Sequence, residues 1–390
     1  MTNPILIHQG AELYGSDKIF LYVVESIIET GEVPIVVLDS DGPLVKVIKD
    51  AGAIVIIRRL GVLRRNIFSS PIKFFAFIYN FFSSVFFLKR LHNKFKADVV
   101  YVNTLAVISP LILKFLVKDV RFIHHLHEIQ DKPRLLAKCL YTLSTFLSHE
   151  VIVVSNAVRE HLLKIVNPSF VRCKVHKVYN GIEAKEVTKS QFASLSKELE
   201  LSSLKESGAI IIAVVGRIHT WKGQLEFLDI LSKLKENKEC KFKVFFFGDV
   251  YTGYEWLRRD FISKIEILGL LDVVTFCGAR SDPEVLFKSC DIAVLTSIEP
   301  DPLPTVVLEA MSFGKPVIAY EMGGAVEMID HRVTGVLVNV NNQEQFISRL
   351  KELIFDSDLR QELGRNARRK FEQEFNLDRF KSDIKGLLKL

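Results

Sequence analysis

The stretch Ala209-Ile210-Ile211-Ile212-Ala213-Val214-Val215-Gly216-Arg217-Ile218-His219-Thr220-Trp221-Lys222-Gly223 carries the most information in the chain. A short run of wholly apolar, mostly β-branched residues stops at a glycine, and Gln224 then opens an amphipathic segment. The run reads as a strand buried on both faces, and strand, glycine loop and helix together form the opening unit of a parallel α/β sheet. Arg217 and Lys222 fall in that loop, beside the start of a helix. There the unpaired N–H groups and the helix dipole favour an anion. Arg grips phosphate oxygens as a fork and Lys acts as a point charge, so the pair suits a diphosphate. Both cations also suit a solvated loop. The G-x-x-x-x-G-K-[ST] phosphate loop is absent.

Similar runs recur on both sides. Pro34–Leu38, Ala53–Ile57, Val99–Val102, Val120–His124 and Val151–Val154 come before it; Phe242–Phe247, Val273–Phe276, Ile292–Leu295, Pro316–Ala319 and Gly335–Val338 follow. Amphipathic stretches separate them, which predicts parallel sheets covered by helices. The alternation pauses after Tyr179-Asn180-Gly181-Ile182, in a polar stretch from about Glu183 to Gly208. A chain of 390 residues exceeds the usual size of one domain. The division read from the sequence is 1–183, 184–375, and a C-terminal helix, 376–390, that returns to the first domain. Two doubly wound domains place their ligands at the carboxyl ends of the strands, across a cleft.

Two more loops carry candidate binding groups. Glu299-Pro300-Asp301-Pro302-Leu303-Pro304-Thr305 follows the strand Ile292–Leu295, and its prolines delay the next helix until about Thr305, which can cap it. Glu309 then lies one turn in, where a carboxylate can accept from sugar hydroxyls, and Asp301 can reach another polyol. Equally, Glu309 can serve the helix dipole and Asp301 the turn. Gly323-Gly324 precedes a further helix, and paired glycines let backbone N–H groups approach an anion or a sugar. In the first half, Gly15 lies in Tyr14-Gly15-Ser16-Asp17 before a helix expected from Lys18; it reads as a close-approach glycine or as part of a Ser/Asp cap. His127, in His124-His125-Leu126-His127-Glu128, ends a strand and reads as a hydrogen-bond donor into the cleft. Strand alternation sends neighbouring histidines to opposite faces, which argues against a shared metal.

Hydrophobic residues make up 48% and charged residues 25%, enough to bury cores without staples. Five scattered cysteines lack C-x-x-C spacing, which argues against a disulfide framework or a zinc site and fits a reducing compartment. No signal peptide and no run of about 18 uncharged apolar residues is read, so the expected location is cytoplasmic. Residues 1–180 hold 23 Lys/Arg against 14 Asp/Glu, and 51–100 hold nine basic residues with Asp98 as the one acid. Such a surplus calls for an anionic partner. Nucleic acid is not expected, because no aromatic stacking platform is interleaved with the charges.

In order and spacing these pieces resemble the retaining GT-B glycosyltransferases of family GT4, over nearly the whole chain. Gly216-Arg217 with Lys222-Gly223 is similar to the family's G-R-x-x-x-x-K-G donor motif, and Asp301 through Glu309 to its E-x7-E motif. Gly323-Gly324, Thr334-Gly335, the Tyr179–Ile182 hinge entry, Gly15 and His127 also fall where the family has counterparts. The resemblance implies α/β architecture with two Rossmann-like domains facing across a cleft, and a nucleotide-diphosphate sugar as donor. It implies transfer to an acceptor hydroxyl with retention, with no metal and no cofactor; a glycan or lipid-linked glycan acceptor in surface polysaccharide or glycolipid assembly is the expectation if the basic first half meets a membrane. Arg217 and Lys222 would bind the diphosphate and Glu309 the ribose. Asp301 would contact the transferred sugar, His127 would orient it, and Gly15, Gly216, Leu303, Pro304, Thr305, Gly323 and Gly324 would complete the donor site. Here the first acidic position is Asp301 where the family has Glu, which leaves open both the sugar and an inactive, binding-only protein. A sugar-nucleotide epimerase on the same fold is a further alternative.

The segment Ile72–Leu88 is dense in phenylalanine, with Phe74, Ile78, Phe81, Val85 and Leu88 at helical spacing on one side and Lys73, Ala76, Asn80 and Ser83 on another. Arg58, Arg59, Arg64 and Arg65 precede it; Lys89, Arg90, Lys94 and Lys96 follow. It reads either as a core helix or as an interfacial helix on anionic lipid, the latter giving a peripheral membrane location.

Overall fold

The computed structural model describes residues 3–63, 67–280 and 282–389. Arg64 and Arg65, read above as basic flanks, lie outside them. The chain divides into two units, Met1–Gly181 with Leu377–Leu390 and Ile182–Asn376.

The first unit is built on β1 (Ile5–His8), β2 (Ile35–Leu38), β3 (Ile54–Ile57), β4 (Val99–Val102), β5 (Arg121–Leu126), β6 (Glu150–Val153) and β7 (Lys174–Lys177). They form one parallel sheet in the order β3-β2-β1-β4-β5-β6-β7. The second unit has β8 (Ile210–Val215), β9 (Phe242–Phe247), β10 (Val274–Phe276), β11 (Ile292–Leu295), β12 (Val317–Tyr320) and β13 (Gly335–Val338), parallel in the order β10-β9-β8-β11-β12-β13. The inner strands β1, β2, β4, β11 and β12 are buried at every residue, as strands covered by helices on both faces must be.

Three regions differ from the sequence reading. β7 is an edge strand of sequence Lys-Val-His-Lys, and its half-exposed side chains hide the apolar signal. The polar stretch 183–208 carries two helices, Lys189–Glu198 and Leu201–Glu206, the first closed by a capping box between Thr188 and Gln191. The first helix spans Gly15–Ile28, starting three residues before Lys18.

The C-terminal helix Leu377–Leu388 packs on Gly15–Ile28. Lys381 Nζ pairs with Glu25 (2.9 Å) and Glu29 (2.7 Å), and Lys385 Nζ with Glu29 (2.6 Å). Arg121 donates to the carbonyls of Leu387 (2.9 Å) and Leu388 (3.1 Å), so a cation closes the helix at its negative end.

The phenylalanine-dense segment forms one helix, Pro71–Phe95. Val85, Leu88 and Leu91 are buried, and Leu88 and Leu91 join the β1–β4 core with Leu60. Gly61, at φ +67°, passes so close that a Cβ there would lie 2.7 Å from the Phe81 amide nitrogen. The core-helix reading therefore holds for one side of its second half. Contrary to the expectation from uncharged run length, this helix is long and apolar enough to cross a membrane by length and composition.

In the second unit, Phe246 of β9 sits between Phe261 (ring centroids 5.0 Å apart) and Phe227 (6.3 Å), and Phe227 meets Phe346 (5.8 Å). All four are essentially buried. Phe246→Ala is expected to destabilise the second unit by about 3–5 kcal/mol, read from denaturant unfolding; a loss below about 1 kcal/mol would show that this cluster does not hold the sheet to its helices.

Candidate functional site

The order of the second sheet reverses between β8 and β11, which pair directly while their following strands lie on opposite sides. Loops leaving adjacent strands at such a reversal diverge and open a crevice at the carboxyl edge. The two loops so placed are Gly216–Gly223 after β8 and Thr296–Pro304 after β11, which carry Arg217, Lys222 and Asp301.

The β8 loop is clamped by its backbone. Gly216 adopts φ +141° and Gly248, at the end of β9, φ +150°; a Cβ on Gly248 would lie 2.0 Å from the Gly216 carbonyl oxygen. Gln224, buried at the start of the helix Gln224–Lys235, donates to the Arg217 carbonyl (3.0 Å). Thr296 Oγ1 donates to the Lys222 carbonyl (2.6 Å), and the Ile298 amide to that of Trp221 (3.0 Å). Gly223, at φ +69°, presses against the β11 loop, where a Cβ would come within 2.1 Å of the Thr296 carbonyl. The Arg217 guanidinium lies 3.6 Å from the centre of the Tyr251 ring, a cation–π contact that holds its plane.

Lys222 Nζ bonds the Asp301 carboxylate, and both side chains are mostly buried. The Asp301 carbonyl accepts from the Gly324 amide (2.7 Å). A Cβ on Gly323, at φ +56°, would lie 2.5 Å from that carbonyl oxygen, and one on Gly324 would lie 2.3 Å from the Pro302 carbonyl oxygen. Three stretches distant in sequence thus meet at Asp301. This revises two readings. The glycine pair is required first by close packing on Asp301-Pro302, and the Gly324 N–H is donated within the protein. Thr305 is the first helical residue of Thr305–Ser312; Pro304 holds the cap position, without a side-chain cap. Leu303 and Pro304 are buried, and Glu309 is half-buried on the fifth helical position.

Gly15 and His127 belong to the first unit, whose sheet also reverses, between β1 and β4. Gly15 is the first residue of its helix. Asp17 binds that turn: one carboxylate oxygen accepts from the Tyr14 amide (3.2 Å) and the other from His8 Nε2 (2.7 Å). From His8 a buried chain continues. Asn103 Nδ2 donates to His8 Nδ1 (3.2 Å), and Asn103 Oδ1 accepts from Tyr101 Oη (3.2 Å) and from His127 Nε2 (3.0 Å). Burial, with His8 next in weight, lowers the pKa of His127 to about 3, and burial lowers that of His124 to about 4. A neutral imidazole has one N–H, and His127 gives it to Asn103. The sequence reading of His127 as a donor is revised accordingly: toward a ligand it presents Nδ1, an acceptor. Glu128, its carboxyl pushed up by burial, accepts from Thr104 Oγ1 (2.7 Å) and from the amides of His127 (3.0 Å) and Leu105. It fixes the backbone that carries the histidine.

Among the described residues no three His, Cys, Asp or Glu side chains converge as a metal site. Asp-Ser-Asp triplets occur at 39–41 and 356–358. Asp39 accepts from the Leu60 amide (2.8 Å), Asp41 from that of Gly42 (2.8 Å), and Asp356 caps a helix at Leu359 (2.8 Å). Sequence reading missed Tyr251, Gln224, Asn103 and Glu128. Asn103 had a usable signal, since it directly follows the strand Val99–Val102; Tyr251 had none.

Two family models match the chain: glycosyl transferases group 1 over residues 196–370, and glycosyltransferase family 4 over residues 32–186. An uncharacterized glycosyltransferase of Methanocaldococcus jannaschii is 28% identical over 255 residues, 64% of this chain and 62% of that protein. The N,N'-diacetylbacillosaminyl-diphospho-undecaprenol alpha-1,3-N-acetylgalactosaminyltransferase of Campylobacter jejuni is 28% identical over 236 residues, 60% of this chain and 58% of that protein. The matched stretches thus span about three fifths of these relatives' length. The Anabaena protein HepE, solved in complex with UDP and glucose, matches the fold over 100% of both chains with a TM-score of 0.81 at 21% identity. With the two family models falling on successive halves and two parallel-sheet units of matching fold, the chain belongs to the GT4-type GT-B glycosyltransferases.

Proposed function

We propose that this protein transfers a sugar from a nucleotide-diphosphate sugar to a hydroxyl of a glycan or lipid-linked glycan, with retention, in surface polysaccharide or glycolipid assembly, and without a metal ion. The observation that carries the reading is the β8 loop. It holds Arg217 and Lys222 at the strand-order reversal, with the backbone fixed by Gln224, Thr296 and two glycines. A preorganised pair of cations stabilises the charge that grows on a departing diphosphate and needs no rearrangement as it does so. HepE was solved with UDP and glucose, and the Campylobacter relative is named for a diphospho-undecaprenol acceptor; both support a nucleotide-sugar donor and a lipid-linked acceptor here.

Asp301 has two tasks in this scheme. It orients Lys222 before the donor binds, and it offers a carboxylate to the transferred sugar beside the phosphate. An entering diphosphate shares the lysine with it. Glu309, on the helix that starts after the same loop, takes the ribose hydroxyls. Leu303, Pro304, Thr305, Gly323 and Gly324 shape the backbone around Asp301. In the first unit His127 is the candidate for the transferred sugar, as an acceptor through Nδ1, and Gly15, with no side chain at the first helical position, leaves room for the donor to approach.

Arg217→Ala and Lys222→Ala are each expected to weaken nucleoside diphosphate binding about 10- to 100-fold, as loss of a charge-assisted hydrogen bond does. A thermal-shift screen with UDP, GDP and ADP reads this, and an unchanged shift in both variants contradicts the assignment. Asp301→Asn removes the anion beside Lys222, so diphosphate binding is expected to stay or tighten while acceptor-dependent transfer falls at least tenfold. Diphosphate release without any acceptor would point to an epimerase.

The buried histidines set a pH dependence. Their folded pKa values lie below the unfolded value near 6.5, so unfolding takes up protons: the stabilisation is complete above about pH 6.5 and is lost as pH falls. Each proton contributes a slope of about 1.4 kcal/mol per pH unit. In His127→Gln the fall in unfolding free energy from pH 6.5 to 4.5 is expected to shrink by one proton's share; an unaltered slope would place the titration elsewhere.

A further inference from the structure

The helix Pro71–Phe95 has two apolar faces, and the core takes only one of them. Ile72, Phe75, Tyr79, Phe82 and Phe86 are spaced three and four residues apart, so they form one stripe along the helix. They are 81%, 69%, 71%, 55% and 62% exposed. The stripe lies opposite Ser84, Val85, Leu88 and Leu91, and it is not the side that the sequence reading marked as apolar. A contiguous aromatic surface of this kind marks an interaction site.

The charges around it say what kind. Between residues 51 and 97 the sequence has no acidic residue, while Lys73, Lys89, Arg90 and Lys94 stand on the helix itself and Lys96 at its end. A groove of about 650 Å³ is lined by Tyr79, Phe82 and Phe86 of the stripe together with Arg58 and Arg90. Arg58 is held there by a bond to Ser83 Oγ (2.5 Å) and by the Phe87 ring, 5.7 Å away. Aromatic side chains that enter the acyl boundary beside cations that meet phosphates are the pattern of an interfacial helix. The same helix has the length and composition to span a bilayer. Its packing forbids that: Ser84 Oγ bonds the Leu60 carbonyl (3.2 Å), and Leu88 and Leu91 belong to the sheet's core. A helix fastened to a folded unit along one face lies flat on a membrane.

We propose that the stripe Ile72, Phe75, Tyr79, Phe82 and Phe86 docks the protein on an anionic lipid bilayer, with Arg58 and Arg90 receiving lipid phosphates in the groove between them. The surface is independent of the donor loop, so the two assignments succeed or fail separately.

The test is co-sedimentation of the full chain with vesicles of phosphatidylcholine alone and of phosphatidylcholine with phosphatidylglycerol. Binding is expected only to the second and is expected to weaken with salt. The triple variant Phe75→Ser, Tyr79→Ser, Phe86→Ser is expected to bind at least tenfold less, and Arg58→Gln with Arg90→Gln to lose the preference for anionic lipid. Thermal unfolding and the nucleotide-induced shift report whether each variant is folded and should stay as in the parent. Failure of the parent to sediment with either vesicle, equal binding to both, or unchanged binding by the triple variant overturns the proposal. So does a concentration-dependent dimer that the triple variant abolishes without any lipid binding, which would give the stripe to a second copy of the chain.

Discussion

The second unit is organised around a contact between backbones. Gly223 lies against the Thr296 carbonyl, and no side chain can be accommodated between them. That approach is possible because β8 and β11 are neighbours at the point where strand order reverses, so the loops that leave them start side by side. Once the two loops are in register, Thr296 bonds the Lys222 carbonyl and Lys222 reaches Asp301. Asp301 in turn supports the Gly323-Gly324 turn. The charged groups are placed by backbone hydrogen bonds and glycine contacts, which is why an exposed-looking loop can hold a cation pair in a fixed position.

The first unit repeats the device with other chemistry. Its reversal brings the ends of β1 and β4 together, and β5 lies next to β4. Polar residues at those ends, His8, Asn103 and His127, form one hydrogen-bonded chain anchored on Asp17. Burial keeps His127 neutral, and its one N–H is taken up by Asn103. In both units the candidate groups sit at the carboxyl ends of neighbouring strands, and supporting hydrogen bonds come from an adjacent strand's loop.

Much of this was readable beforehand, and what was not has identifiable causes. Continuous β-branched runs such as Ile210–Val215 and Ile292–Leu295 announced the buried strands, and the glycine and proline punctuation placed the loops after them. β7 was missed because an edge strand is only half covered and tolerates Lys-Val-His-Lys. The helices between 183 and 208 were missed because short surface helices depend on caps more than on an apolar stripe. The site reading named Arg217, Lys222, Asp301 and His127 but not their supports, since Tyr251 and Gln224 act through tertiary neighbours that no local pattern reveals. On the helix Pro71–Phe95 apolar residues run almost all the way round, so periodicity alone could not say which face the core would claim.

As proposed, the β8 loop is a diphosphate site built before its ligand arrives. A crystal structure of the full chain with a bound nucleoside diphosphate tests it most directly. It should show phosphate oxygens within about 3 Å of the Arg217 guanidinium and Lys222 Nζ, with Gly216, Gly223 and Thr296 unmoved. Phosphates bound elsewhere, or a loop that must refold to reach them, would contradict it.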